Sequence, residues 1–308
     1  MIERNISTHE IKASLGSLGQ FAEQLVNQGI CIKELNSKEA EMAYILHDEL
    51  MLRDLPISSF KRKSAWHEGW NENYNLLRLE HKDALIPKYF GKFPYVRFQK
   101  EFYGANLATE IGFLRTILLN EIEFLIERYA PKRIIEFGCG TGHNLFFLNS
   151  WFPNIDYLGT DWAEASSTII DLAREKFKVT NVTAGSIFNY FSPDMNFEVK
   201  STDLVITVAS LEQVGTQHQA FIDFIVAKKP KAVLNIEPEA SLLDSDDRFD
   251  ETSIKYMQKR GYLSGYLAEL RAREERGELT ILKSMRTSLG SFPMDGYSII
   301  LWIPTYVK

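Results

Sequence analysis

Glu136-Phe137-Gly138-Cys139-Gly140-Thr141-Gly142 is the stretch that decides the reading of this chain. It follows the short apolar strand Arg133-Ile134-Ile135 and precedes a helical pattern. Its three glycines alternate, so the backbone can turn sharply and approach a ligand that a Cβ would block. The helix start behind them presents free N–H groups. An acid two residues before the first glycine predicts a loop wrapped around a small, charged ligand. A dinucleotide site would read G-x-G-x-x-G and set a pyrophosphate on the helix N-terminus. Here His143 stands where the third glycine of that pattern belongs, and Glu136 would repel a pyrophosphate. The acid suits a cationic amino-acid moiety or a ribose hydroxyl.

The rest of the chain fits an α/β protein. Its 308 residues hold one large or two modest domains. A net charge of −6 argues against a nucleic-acid partner, which wants a basic face. No apolar run approaches the roughly 20 residues that span a bilayer, so no membrane partner is expected. The start, Met1-Ile2-Glu3-Arg4-Asn5, lacks the layout of a secretory signal. Cys31 and Cys139 are far apart and make no metal spacing, which predicts a reduced, cytoplasmic setting and no metal.

Strands alternate with helices from about Glu110. Strands are expected at 133–137, 156–160, 182–187, 203–208 and 232–236, with helices at about 163–177 and 217–227 between them. This alternation implies a parallel sheet. A charged helix at about 254–276 follows, then strand-like runs at 279–288 and 297–304. Their connection, with Gly290, Pro293 and Gly296, is too short for a crossover helix, so the pair should be antiparallel. Before the alternation, Ser7-Thr8-His9-Glu10 fits a capping box, and Ile11, Leu15, Leu18, Phe21 and Leu25 continue at helical spacing. Asn36-Ser37 starts a second helix to about Leu52. Residues 56–106 are rich in aromatics, with Trp66-His67-Glu68-Gly69-Trp70 among them, and read as a loop-rich region. The division expected is a cap over 1–105, for substrate binding or dimerisation, and a catalytic domain over 106–308. A homodimer is left open.

The glycine motif, an acid after the second strand and the terminal hairpin together resemble the class I S-adenosylmethionine (SAM) methyltransferases. The resemblance covers roughly residues 105–304. It implies a Rossmann-like seven-stranded sheet with a terminal antiparallel hairpin, and SAM as cofactor. It assigns the methionine half of SAM to Glu136, Gly138, Cys139, Gly140, Gly142 and Asn144. Asp161, nineteen residues beyond Gly142, is assigned the ribose hydroxyls, and Trp162 a stacking role on adenine. The family's usual acid after strand three is missing; Ser186 and the Ile187 N–H stand at the adenine corner instead. Strand four ends Val208-Ala209-Ser210-Leu211-Glu212-Gln213, where the family often has histidine after Leu-Glu. Ala209 is placed beside the cofactor, and Gln213 replaces a candidate base. Arg97 and Tyr103 are assigned to the SAM carboxylate by position.

A hydroxyl nucleophile also wants a base near neutrality. The candidates are His67, Glu237, His143 and His218, with His67 and Glu237 preferred and Gln213 orienting the acceptor. The expected reaction is methyl transfer to oxygen or nitrogen of a small or medium-sized acceptor: a sugar, a natural-product intermediate or a peptide end. The alternatives are a protein or RNA methyltransferase, a non-catalytic SAM-binding protein and an NAD-type oxidoreductase.

Overall fold

The computed structural model describes residues 2–81 and 83–305. Its larger sheet contains β1 (Arg133–Phe137), β2 (Asp156–Thr160), β3 (Val182–Ala184), β4 (Asp203–Val208), β5 (Ala232–Glu237), β6 (Leu279–Met285) and β7 (Ser298–Pro304). Their spatial order is β6-β7-β5-β4-β1-β2-β3. Strands β1 to β5 run parallel. β7 is antiparallel to β5, and β6 is antiparallel to β7. Every residue of β4 and β5 is buried. Continuous apolar runs are what a parallel sheet covered on both faces requires. The strand order reverses at β1, so a crevice opens beyond the carboxyl ends of β1, β2 and β4.

A buried polar lock holds the hairpin to the parallel strands. The Asn235 Oδ1 on β5 accepts from Trp302 Nε1 on β7 at 3.0 Å and from the Tyr266 hydroxyl at 2.9 Å. Its Nδ2 donates to Thr207 Oγ1 on β4 at 2.9 Å. Both ends of one amide are therefore satisfied in the core, as a buried polar group requires.

The N-terminal region is more ordered than its composition predicts. Residues 63–78 form a 16-residue helix, and Tyr95–Phe98 and Glu101–Gly104 form a hairpin. The first helical pattern splits into Thr8–Leu15 and Gln20–Asn27. Gly16, at φ +77°, ends the first piece. Glu123 and Asn120, on the helix Leu107–Tyr129, accept the free N–H groups at the start of the second. The 254–276 pattern likewise splits into Arg248–Arg260 and Tyr266–Glu275, broken by Gly261 and Gly265 at positive φ. The capping box at Ser7 forms as its sequence predicts, and the helix expected from Asn36-Ser37 starts with a second capping box at Asn36.

The larger departure lies at the terminal hairpin. Its connection holds a further strand, Leu289–Ser291, which pairs with Tyr95–Phe98. A second antiparallel sheet results, in the order Glu3–Asn5, Cys31–Lys33, Glu101–Gly104, Tyr95–Phe98, Leu289–Ser291. Residues from both ends of the chain thus complete one sheet. Arg97 is fully buried at this seam. It donates to the carbonyls of Phe292 (2.9 Å) and Phe249 (3.0 Å) and to Thr252 Oγ1 (2.7 Å). Its guanidinium lies over Phe102 and Phe249 at 4.7 and 4.6 Å. Burial lowers its pKa to about 9. Replacing Arg97 with Met should lower stability by on the order of 3 kcal/mol, because buried carbonyls lose their donors. Urea unfolding measures that loss. Affinity for S-adenosylhomocysteine (SAH), measured in the folded fraction, should stay unchanged.

Candidate active site

The glycine loop is shaped by what it touches. Gly138, Gly140 and Gly142 all have positive φ, at +69°, +55° and +76°. A Cβ on Gly138 would lie 2.5 Å from the Ser210 Cβ, and one on Gly140 would lie 2.8 Å from the Trp70 ring. The N–H groups of Gly138 and Cys139 donate to the Thr160 carbonyl at 2.7 and 3.1 Å, which clips the loop to β2. Thr141 Oγ1 donates to the Leu85 carbonyl at 2.5 Å, which clips it to the N-terminal region. Trp70 and Trp66 stack with ring centres 5.3 Å apart and close over the loop from the helix Lys63–Arg78.

Beneath the loop lies a cleft walled by Glu136, Gly138, Cys139, Gly140, Asn144, Asp161, Trp162 and Ala209 among others. Glu136 is buried, and its Oε1 accepts from Asn144 Nδ2 at 2.7 Å. Glu136 Oε2 and Asn144 Oδ1 have no protein partner. Burial raises the Glu136 pKa to about 8, with Asp161 and Glu237 adding repulsion. Two bare acceptors on a cavity wall match an ammonium or another donor-rich ligand. Asp161 accepts from the N–H groups of Gly140 (3.0 Å) and Ala163 (2.9 Å), one on each oxygen. Burial raises its pKa to about 6 against those bonds. Each oxygen keeps a lone pair for a ligand hydroxyl. The residues therefore fit SAM: Glu136 and Asn144 would face its amino-acid end, and Asp161 its ribose.

The adenine side differs from the expectation. β3 ends at Ala184, and the chain then turns so that Phe188, Tyr190 and Phe191 line the cleft. Trp162 stacks on Phe191 at 6.0 Å and 25°. Ser186 and Ile187 do not line the cleft; the Ser186 carbonyl accepts from Thr160 Oγ1, and the Ile187 side chain is about half exposed. The run of aromatics just beyond Ser186 was the available signal. His143 also lines the cleft, and burial, with Arg115 nearby, lowers its pKa to about 3. It is a neutral imidazole whose two ring nitrogens have no protein partner.

Four further residues leave their assigned places. Arg97 sits in the second-sheet seam, and Tyr103 donates to Glu101 at 3.1 Å; neither lines the cleft. His67 lies one residue along the helix from the inward Trp66–Trp70 face and lines neither cleft. Glu237 is wholly buried below the floor, where its carboxylate accepts the N–H groups of Ser210, Leu211 and Glu212 at 3.0–3.1 Å. Burial raises its pKa to about 7. Glu237 is an anchor that fixes the turn after β4, not a group facing substrate.

A second cleft shares the wall formed by Trp66, Trp70, Tyr89 and Ala209. Ala209 holds φ at +47°, which is costly for a residue with a Cβ. Glu237 holds the next three residues in place and so sustains that turn. Beyond it Glu212 lines the second cleft, with Oε1 accepting from Gln213 Nε2 at 2.9 Å and Oε2 unpartnered. Burial, then Glu237, raises the Glu212 pKa to about 8. Gln213 Oε1 accepts from Ser58 Oγ at 3.1 Å, so Gln213 positions Glu212. Glu212 carries no local signal in the sequence, because its place on the second cleft depends on the turn after β4.

Residues 135–234 match a family described as a methyltransferase domain. No curated protein matches the chain. Among solved structures, it is similar to magnesium protoporphyrin IX methyltransferase from Synechocystis PCC 6803 with bound SAM. Identity is 15% over 64% of this chain and 83% of that one, with a TM-score of 0.45. It is also similar to the plantazolicin methyltransferase BamL in complex with SAH, at 13% identity over 79% and 98%, TM-score 0.45. A third is NcsB1, an O-methyltransferase from neocarzinostatin biosynthesis, at 13% over 79% and 70%, TM-score 0.43. The sheet order, the glycine loop and the matched domain define the class I methyltransferase fold. The chain therefore carries a methyltransferase domain over residues 135–234, and the residues of its cleft fit SAM as the methyl donor.

Two outcomes are expected. Asp161→Ala should weaken SAH binding by on the order of 2–4 kcal/mol, read by calorimetry, because charge-assisted hydrogen bonds are lost. The second concerns pH. Glu136 and Glu212 have folded pKa values above their unfolded ones, so the native state holds protons that the unfolded state has released. Their contribution is complete below the unfolded value and is lost as pH rises through about 8. His47 and His143, lowered to about 4 and about 3, act in the opposite sense only below their unfolded value near 6.5. The Tm of the free protein should therefore fall between pH about 6.5 and about 8. SAH should flatten that fall and release protons, seen as a buffer-dependent binding enthalpy. A flat Tm in that interval would contradict the burial of these acids.

Proposed function

We propose that the second cleft seats a small or medium-sized acceptor whose oxygen or nitrogen receives the methyl group. The meeting of the two clefts at Ala209 carries this reading. A methyl donor held at the glycine loop and an acceptor among the aromatic rings would meet at that wall. SAM supplies an already activated methyl on a sulfonium. What remains for the protein is alignment, exclusion of water and removal of the acceptor proton.

Trp66, Trp70 and Tyr89 line the junction, where their rings would help keep water from a bound acceptor. Glu212 is the group placed to take the proton, at its unpartnered Oε2. A pKa of about 8 suits a base working near neutral pH. Gln213 and the Glu237-anchored turn hold it in place.

The test is methyl transfer from labelled SAM to a panel of phenols, hydroxy acids, sugars and amines, read by mass spectrometry. The rate should rise with pH to a limb near 8, as Glu212 ionises. Glu212→Gln should remove that limb and lower kcat by roughly 10²–10⁴, the usual worth of a positioned base. SAH affinity should be retained. A Glu212→Gln variant with a wild-type pH profile would remove Glu212 from this role.

A further inference from the structure

The second cleft carries a charge pattern that methyl transfer by itself does not call for. Arg62 closes the turn before the helix Lys63–Arg78, and Arg260 ends the helix Arg248–Arg260. The two segments meet where the Ser58 N–H donates to the Arg260 carbonyl at 2.7 Å. Both arginines line the cleft. Arg62 lies over the Trp66 ring at 5.5 Å, and Arg260 over the Tyr262 ring at 4.8 Å. Arg260 also donates to the Tyr256 hydroxyl at 3.1 Å. Neither pairs with a carboxylate within 4.0 Å among the described residues. Arg62 Nη1 and Arg260 Nε are buried with no hydrogen-bond partner.

Guanidinium groups cannot shed their charge, so this partly buried pair favours an anion beside it. Against burial, Tyr262, Tyr256 and Glu212 raise the Arg260 pKa. Burial, then Arg260, lowers the pKa of Arg62. The acid that faces both is Glu212, whose pKa of about 8 leaves it mostly uncharged at neutral pH. Glu110, on the same cleft, accepts from the Gly91 N–H at 2.7 Å and is raised to about 7 by burial. Lys88 and Glu72 at the cleft pair with each other at 2.6 Å. The arginines are thus left for a ligand.

We propose that Arg62 and Arg260 bind a carboxylate on a flat aromatic acceptor. Two available N–H groups match the two oxygens of a carboxylate. Trp66, Trp70, Tyr89 and Phe93 offer faces and edges to a ring. An acceptor anchored at its acid by the arginines would extend its ring toward Ala209, with the reacting atom beside Glu212. This rests on the reading of the second cleft as the acceptor cleft.

The probes are 2-naphthoate, its neutral counterpart 2-naphthalenemethanol, and inorganic phosphate, each titrated into the full-length protein with SAH present. Naphthoate should bind, and the alcohol should bind at least roughly tenfold more weakly. Arg62→Gln and Arg260→Gln should each weaken naphthoate roughly tenfold while SAH affinity is unchanged, which also shows that each variant is folded. Equal binding of acid and alcohol, or full naphthoate affinity in both variants, would overturn the proposal. Phosphate that displaces naphthoate at equal concentration would overturn the carboxylate assignment. An NOE between bound naphthoate and SAH separates this proposal from the acceptor-cleft reading. Arginine-dependent binding with no such NOE would sink that reading and, with it, the naming of the acid as an acceptor.

Discussion

Carboxylates buried at one end of one sheet set the terms for everything around them. An ionised acid in a low-dielectric interior must find donors or a cation, or take up a proton. The four acids at this edge meet that demand to different degrees. Glu237 takes three backbone N–H groups and becomes a structural post. Asp161 takes two, one on each oxygen, and keeps lone pairs toward the cleft. Glu136 and Glu212 each have an oxygen with no partner in the protein. The gradient runs from anchor to ligand-facing group, and it separates groups of the same chemistry into different tasks.

The strain in the site follows from the same constraint. Ala209 adopts a left-handed φ because Glu237 draws the next three amides down onto its carboxylate. That turn brings Ser210 against Gly138, where there is no room for a Cβ, and ties it to Tyr190 and to the Phe137 carbonyl. The ends of β1 and β4 and the loop after β3 are thereby fixed to one another. That one turn therefore borders both clefts.

The N-terminal region is part of this construction. Its helix Lys63–Arg78 lays Trp66 and Trp70 over the glycine loop, and its strands share a sheet with Leu289–Ser291 from the terminal hairpin. The Arg97 guanidinium joins carbonyls from that hairpin and from the helix Arg248–Arg260. The same helix delivers Arg260 and Tyr256 to the second cleft. The packing that closes the second sheet also assembles the walls of the second cleft.

The sequence by itself determined the parallel sheet, to the residue for β1, β2 and β4, because buried strands are written as local apolar runs between turn signals. The alternating glycines and the acid after β2 were also legible in it, whereas the partners that shape the loop, Trp70, Leu85 and Ser210, lie far off in the chain. It could not show that 289–291 is a strand, since that pairing partner lies almost 200 residues away. Position alone put Arg97 at the cofactor, whereas packing put it in the seam. Only tertiary structure decided that Glu237 anchors while Glu212 faces the cleft. The two differ in which amides and rings surround them, and burial and hydrogen-bond supply are properties of the folded neighbourhood.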